Sequence, residues 1–426
     1  MILVKPTIAC NFKCDYCYQS DIKCKETKID LEKIKLEMIK NLKGSKRGPT
    51  FHGGEITTIP VGQFEELARC AHALCGGSQM QTNGFAISDA HIKIFKKFNV
   101  SVGVSIDGPI EVNAHRGVGT KEDREKQYAQ VMENIRKMRN ENIRVSIISV
   151  INDKHMGKEN IELFKKWIVE LFDMGVCHGR MNLRDQVEGY TVEQASEFYK
   201  ELADFVLNNK LLMWSPFREM VDNLLGLSIS SCKFVKCDLS ATQSAIVIHG
   251  DGKISSCLRN SLDGEVPERQ KKNLDTIRDN ILSQTPQEYG GCRGCRYYKV
   301  CYGGCPANGI NGDWKNRDIH CTVIKNLYSH IEKKMIGILP NLNICLDLQE
   351  EIYDERRRGM IGDHPFAKML PQYAVAPSSF HWRGYKENSS DLPSNKAQQA
   401  PGVYMLGADT KIDTSNWERV PQKEGQ

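Results

Sequence analysis

An α/β fold built on a parallel sheet is what this sequence of 426 residues predicts. Three observations predict it. Short apolar, β-branched runs alternate with amphipathic segments over the first 210 residues; the amphipathic segments begin at capping residues; and glycine-containing turns follow several of the apolar runs. Strands are expected at 2–8, 49–52, 78–82, 100–106, 144–151 and 176–183. Helices are expected at 31–43, 61–74, 89–97, 122–140, 158–173 and 192–208. Asp30 and Ser88 stand as N-caps, and Thr191 with Gln194 reads as a capping box. Six strand–helix pairs in succession imply right-handed crossovers, which either an open doubly wound sheet or a partial barrel satisfies. In both, active-site residues follow the carboxyl ends of the strands.

Beyond residue 230 the chain changes character. Residues 230–325 are rich in glycine and cysteine and poor in periodicity, with one hairpin expected from a strand at 244–249, the turn Asp251-Gly252 and a short strand at 253–256. This region holds too little apolar matter to fold unaided, so bound metal is expected to supply part of its stability. A helix is expected over 326–350, and 355–426 reads as irregular or partly disordered. The expected division is 1–215, 216–345 and 346–426.

Bulk properties exclude several classes. A net charge of +5 is weak for this length, and 351–426 balances ten acidic against ten basic residues, so neither suggests a nucleic-acid partner. No run of eighteen apolar residues is present and the N-terminus lacks a signal-peptide pattern, so a cytoplasmic protein without a membrane partner is expected. Sixteen cysteines without a secretion signal point to metal rather than to disulfides, the more so because most fall in two bursts, 10–24 and 232–321.

The first burst contains Cys10, Cys14 and Cys17, a Cys-x3-Cys-x2-Cys run just behind the first strand. Three thiolates on one short loop can hold three corners of a 4Fe–4S cluster and leave one iron open to another ligand. A zinc knuckle is the competing reading, although zinc usually takes paired Cys-x2-Cys units and four protein ligands. With Gly53-Gly54-Glu55 behind the next strand, the run resembles the signature of the radical S-adenosylmethionine (radical SAM) superfamily. That resemblance implies a partial (β/α)6 TIM barrel. It also implies that the open iron chelates the amino and carboxylate groups of S-adenosylmethionine, and that its reductive cleavage yields a 5′-deoxyadenosyl radical.

Other residues match the family piece by piece. Tyr16 sits where the family places an aromatic beside the adenine. Gly53, Gly54 and Glu55 match the motif that receives the methionyl ammonium, and Glu55 would add a charge-assisted acceptor. Asn83 in Gln81-Thr82-Asn83-Gly84, and Ser105 and Asp107 in Ser105-Ile106-Asp107-Gly108, match two further strand ends, where Ser105 and Asp107 would contact the ribose or the methionine carboxylate region. Arg116 stands as a carboxylate partner. Taken alone, Asn83-Gly84 and Asp107-Gly108 are ordinary turn chemistry; their order behind the cysteine loop gives them the functional reading. Ile56 departs from the proline that the family often has after Gly-Gly-Glu, which bears on turn rigidity more than on ligands.

The second burst runs Cys237-x14-Gly252-x4-Cys257, then Cys292-x2-Cys295-x5-Cys301-x3-Cys305-x15-Cys321. It resembles the seven-cysteine SPASM domain, with Cys232 as an eighth thiolate. By that resemblance Cys232, Cys237, Cys257 and Cys305 hold one auxiliary 4Fe–4S cluster, and Cys292, Cys295, Cys301 and Cys321 hold another, three clusters in all with the first. A pair of structural zinc sites is the competing reading. Cys24, Cys70, Cys75, Cys177 and Cys345 read as buried thiols.

Radical SAM proteins with such a domain mostly modify peptides or proteins, receiving electrons from a flavodoxin or ferredoxin. The whole chain resembles anaerobic sulfatase maturases, yet Leu258 and Arg259 follow Cys257 where those enzymes carry an aspartate as general base, and leucine cannot take a proton. An oxidative cross-link in a peptide is therefore expected, with formylglycine formation and dehydrogenation of a small alcohol as alternatives. A non-catalytic iron–sulfur electron carrier is a further class, against which the three-cysteine loop argues. No general acid or base is assigned by the resemblance. With Cys10 so near the start, no leader-binding domain is expected before the core, and Phe380, Trp382 and Tyr385 could help to dock a peptide.

Overall fold

The computed structural model describes residues 1–17, 19, 29–45, 47–185, 188–209, 211, 213–226, 234, 237, 245–255, 257 and 277–338. Six strand–helix pairs follow one another as expected. The strands are β1 (Ile2–Lys5), β2 (Thr50–Phe51), β3 (Ser78–Thr82), β4 (Val100–Ser105), β5 (Val145–Ile151) and β6 (His178–Leu183). The helices between and after them are α1 (Leu31–Leu42), α2 (Val61–Cys75), α3 (Asp89–Lys97), α4 (Lys121–Asn140), α5 (Lys158–Asp173) and α6 (Val192–Asn208). Asp30 caps α1, Ser88 caps α3, and Thr191 with Gln194 forms the capping box of α6. A box on α4 between Thr120 and Asp123 escaped the sequence reading, because its partner is aspartate rather than the usual glutamate or glutamine.

Two strands are shorter than expected. β1 stops at Lys5 because Pro6 has no amide hydrogen to give a neighbour, and β2 begins only after Pro49 for the same reason. The structure adds β7 (Trp214–Ser215), the expected hairpin β8 (Ile246–His249) and β9 (Ile254–Ser255), and the helix α7 (Phe217–Leu224). The strands lie in the order β7-β6-β5-β4-β3-β2-β1-β8-β9. All neighbours are parallel except β8 and β9. Strands β1 to β6 therefore sit in chain order. A doubly wound sheet needs a reversal of direction; successive crossovers of one hand put every helix on one face, and the sheet curls as a partial barrel.

The core lies between that face and the helices. Val4, Phe51, Met80, Val102, Val104, Ile147 and Met181 meet Met38, Phe64, Phe95, Ile135, Phe164 and Phe198 there. The opposite, concave face is largely polar: Thr50, Gln79, Gln81, Ser101, Ser105, Ser146, Arg180 and Asn182 occupy alternate positions, none of them fully buried, and share that face with the apolar Leu3, Ile148 and Val150. A barrel interior filled with branched apolar side chains would be a packed core. This one offers hydrogen bonds instead.

The cysteine-rich part contains α8 (Ile277–Gln284), the single turn α9 (Tyr298–Cys301) and α10 (Cys321–Ile338). The last starts five residues before the expected 326, because Asp318 caps the turn: its carbonyl accepts from Cys321 N (2.9 Å) and its carboxylate from His320 N (2.8 Å). Residues 339–350 of the expected helix lie outside the described residues. Several contacts tie this part to the barrel. β8 extends the sheet beside β1. α10 packs on α6, where Asp204 accepts from Lys334 (2.8 Å) and meets His330 (2.7 Å).

α7 connects barrel and cysteine-rich part. Asn223 Nδ2 donates to Val300 O (3.0 Å) and to Tyr328 Oη (2.8 Å). The preceding residue, Asp222, is buried beside Arg218 one turn back. Burial pushes its carboxyl up from 3.8 to about 6, opposed by Arg218 and assisted by Glu219. The folded state thus holds this proton more tightly than the unfolded chain, so the contribution is full below about pH 4 and is lost as pH rises through about 6. Asp222→Asn should therefore match the parent near pH 4 and exceed it by roughly 2–3 kcal/mol above pH 6. Urea unfolding at pH 4 and pH 8 checks this, and an equal effect at both would refute it.

Candidate active site at the carboxyl rim

The cysteine loop leaves β1 and is pinned to the segment after β4. Lys13 N donates to Gly117 O (3.1 Å) and Asp15 N to His115 O (3.0 Å). The Asp15 carboxylate meets His115 (3.1 Å) and Arg124 (3.3 Å), and the other ring nitrogen of His115 meets Asp153 (2.9 Å). Arg124 and His115 hold the Asp15 carboxyl below the usual carboxylate range against the opposing effect of burial. Neither Asp15 nor His115 was legible beforehand as a site residue; the only signal was a charge between two of the cysteines.

Tyr16, Asp107 and Arg116 form one buried unit. Tyr16 Oη donates to Asp107 Oδ2 (2.7 Å) and accepts from Arg116 Nη1 (2.8 Å), and Arg116 stands 3.7 Å from Asp107 Oδ1. Asp107 is fully buried; Val150 N donates to its second oxygen (3.0 Å) and its own amide donates to Asn113 (2.9 Å). Burial, then the Asp107 and Cys14 charges, push the Tyr16 phenol well up, while Arg116 opposes the shift. Sequence reading gave Tyr16 a ring contact and Arg116 a carboxylate. The structure joins both to Asp107, so the loop carrying the three cysteines is locked to the end of β4.

Glu55 is 1% exposed, and its carboxylate accepts four hydrogen bonds: from Thr57 N (3.0 Å), Thr57 Oγ1 (2.8 Å), Thr82 Oγ1 (2.7 Å) and Asn83 N (2.6 Å). It braces the turn after β2 against the end of β3. Asn83 continues the chain of contacts, donating from its side chain to Asn11 Oδ1 (2.7 Å) in the cysteine loop. Gly53 and Gly54 lie so close to that loop that side chains would not fit: a Cβ on Gly54 would stand 2.2 Å from Ile8 O and 2.4 Å from Ala9 O, and one on Gly53 2.8 Å from Thr7 O. Ser105 Oγ accepts from Gln81 Nε2 (2.7 Å), an approach that passes over Gly103, where a Cβ would meet Gln81 Oε1 at 2.3 Å. Tyr16, Gly53, Gly54, Glu55, Asn83, Ser105, Asp107 and Arg116 thus lie on one rim.

The cysteines sort into neighbourhoods. Cys10, Cys14 and Cys17 sense one another's charge. The Cys10 thiol is pushed up to about 11, first by the chain crowding it from beneath and then by Glu55, Cys14 and Cys17; a bound cation reverses that preference. Cys292, Cys295, Cys301 and Cys321 are likewise mutually coupled, with burial and then Cys321 raising Cys292 to about 12. Cys237 and Cys305 share a neighbour in Arg278. Cys257 stands two residues after the end of β9. Among the described residues no three His, Cys, Asp or Glu side chains converge on a single ion; a four-iron cluster asks for something else, thiolates held apart around a cube. Cys24, Cys232, Cys345, Leu258, Arg259 and the aromatics Phe380, Trp382 and Tyr385 lie outside the described residues. Cys70, Cys75 and Cys177 are partly buried rather than buried.

The profile of the Radical SAM superfamily matches residues 4–168, the span from β1 to α5. This segment is a radical SAM domain. A cysteine-type anaerobic sulfatase-maturating enzyme of Clostridium novyi is 24% identical over 374 residues, 80% of this chain and 97% of its own. The sporulation killing factor maturation protein SkfB of Bacillus subtilis is 30% identical over 150 residues, 35% of each chain. The solved structure of anSMEcpe with bound AdoMet and a Cp18Cys peptide superimposes with a TM-score of 0.62 at 20% identity, covering 80% of this chain and 99% of that one. The radical SAM domain implies one 4Fe–4S cluster and S-adenosylmethionine. The residues fit both: three coupled thiols on one loop, a backbone cradle at Gly53-Gly54 closed to side chains, and polar groups from β3 and β4 on the same rim. Among the described residues no helix is long and apolar enough to cross a membrane.

Proposed function

We propose that this radical SAM enzyme oxidatively modifies a peptide or protein, forming a cross-link, and that it carries three 4Fe–4S clusters. The observation that carries the reading is the rim itself, where Cys10, Cys14 and Cys17 are fixed against Glu55, Asn83, Asp107 and Arg116 by hydrogen bonds from three strand ends. With a cluster and S-adenosylmethionine bound, the site supplies a 5′-deoxyadenosyl radical that removes a hydrogen atom from the substrate. The chain's own part is to hold and orient. Cys10, Cys14 and Cys17 bind the irons, the Gly53-Gly54 backbone admits the methionyl end, and Tyr16, Ser105, Asp107 and Arg116 fix the remainder. The polar positions of the concave face offer a peptide hydrogen bonds.

Loss of a hydrogen atom leaves an odd electron on the substrate, and closing a new bond releases one more electron and a proton. The eight cysteines at 232–321, read as two auxiliary clusters, suit the first of these, with a flavodoxin or ferredoxin as the external donor. The names of the relatives, a sulfatase-maturating enzyme and a killing-factor maturation protein, support a polypeptide substrate. The first of them also favours a second reading, formylglycine formation, against which Leu258 stands where a base is wanted.

Anaerobic incubation of the reduced enzyme with S-adenosylmethionine and synthetic peptides from reading frames beside its own should yield 5′-deoxyadenosine and a peptide lighter by hydrogen. Unchanged masses throughout would overturn the cross-linking reading. An aldehyde appearing in a cysteine-bearing sulfatase peptide would replace it with the second.

A further inference from the structure

Arg278 is the most completely satisfied buried cation among the described residues, and nothing in the radical SAM rim uses it. It lies on the first turn of α8 and is 1% exposed. A guanidinium has five N–H donors, and all five reach backbone carbonyls. Nε donates to Trp314 O (2.7 Å), Nη1 to Tyr302 O (3.3 Å) and Gly304 O (3.2 Å), and Nη2 to Gly303 O (3.1 Å) and Asn316 O (2.9 Å). The carbonyls belong to two loops. One, 302–304, joins Cys301 to Cys305, and its glycines take positive φ (73° and 71°) so that their carbonyls can turn inward. The other, 314–316, leads to Asp318, which accepts from Cys305 N (3.1 Å).

This arrangement is odd for a buried charge. Carbonyl dipoles satisfy the donors, but taking a cation out of water is costly unless an anion is nearby, and no described carboxylate forms an ion pair with this one. Burial lowers its hold on the proton, and the groups that counter this and favour its charge are, in order, Cys237, Cys305, Cys292 and then Asp318. Cys237 and Cys305 belong to one proposed cluster set and Cys292 to the other. Gly303 makes the closeness concrete: a Cβ there would lie 3.5 Å from Arg278 Nη2 and 3.5 Å from Cys292 Sγ.

We propose that Arg278 is the shared counter-charge of the two C-terminal iron–sulfur clusters, fixed between them by its five carbonyl contacts and favouring their reduced, more negative state. The proposal rests on the reading of the eight cysteines as two cluster sites. A fixed cation beside both sets assists acceptance of an electron by either, which the proposed oxidation requires after the hydrogen atom is gone. Arg278 is a positioning residue, since it acts through the cysteine ligands and not on the substrate.

The test uses the full chain with Cys10, Cys14 and Cys17 replaced by alanine, so that only C-terminal clusters contribute. Iron and acid-labile sulfide are measured after anaerobic reconstitution, and redox titration is followed by electron paramagnetic resonance, in this background and in Arg278→Gln and Arg278→Lys versions of it. The glutamine variant should titrate at more negative potential than the reference, while the lysine variant, which keeps the charge, should stay near it. Should the glutamine variant fail to retain iron, the lysine variant decides: retention near the reference potential supports the charge role, and loss of iron from it too overturns that role in favour of the hydrogen bonds alone. Unaltered potentials and iron in both variants also overturn it. A reference protein without iron or sulfide would bring down the two-cluster reading itself, a result distinct from any difference among the Arg278 variants.

Discussion

Replacing Cys10, Cys14 and Cys17 together by alanine should abolish formation of 5′-deoxyadenosine while leaving about eight of about twelve iron atoms in each chain, that is, two four-iron clusters of three. The effect is expected to be complete because no other described cysteine lies among the groups that influence Cys10 or Cys14. Stability should change little. Cys10 is exposed and Cys14 and Cys17 are only partly buried, so truncation removes almost no core. The loop is held instead by Lys13, Asp15 and Tyr16, whose contacts the substitutions leave in place. Iron analysis, circular dichroism and chromatographic detection of 5′-deoxyadenosine separate the outcomes. Retention of all the iron would place the first cluster elsewhere. Two zinc ions beside four irons in the parent protein would turn the C-terminal sites into structural zinc centres.

The fold was legible where one physical signal governed. Period-2 and period-3.6 patterns located six strands and six helices because each buries one face against a single core. Their order along the sheet was not, since an apolar strand reads alike in a barrel and in a doubly wound sheet; only the observed pairings of β1 to β6 decide. The rim residues were legible through turn chemistry, as glycine, asparagine and aspartate must follow strands that end abruptly. What sequence could not show is who binds whom. Asp15, His115, Arg124 and Asp153 form a clamp across 138 residues of chain, and charged residues in loops have no periodicity to betray them. Arg278 was hidden for the same reason, since its acceptors are carbonyls, which every residue has. Glu55 was noticed for the right motif, yet its four hydrogen bonds make it first a brace between β2 and β3.

Asp107→Asn should cost about 3–5 kcal/mol of local stability, the usual penalty for leaving one partner of a buried charge pair behind. The side chain keeps its shape, so the loss is electrostatic. In the parent, Tyr16 Oη has one hydrogen to give and Asp107 receives it, while Arg116 donates to the same phenol oxygen. An amide can still accept from Val150 N with its oxygen, as Asp107 Oδ1 does now. Its nitrogen then faces Tyr16 as a second donor, and the phenol hydrogen has no acceptor. Arg116, buried and drawn to its charged form by Tyr16, Cys14 and Asp107, loses its carboxylate as well. The strain falls on the link between the cysteine loop and β4, so amide exchange at residues 10–17 and 113–117 should rise by about 10²–10³-fold or more, with the helices α5 and α6 unaffected. S-adenosylmethionine should bind more weakly for the same reason, the loop no longer being held against the strand ends that complete its site. Exchange confined to parent levels in both segments would mean that the backbone contacts of Lys13 and Asp15 alone hold the loop, and the Tyr16–Asp107–Arg116 unit would then be a consequence of its placement and not a cause.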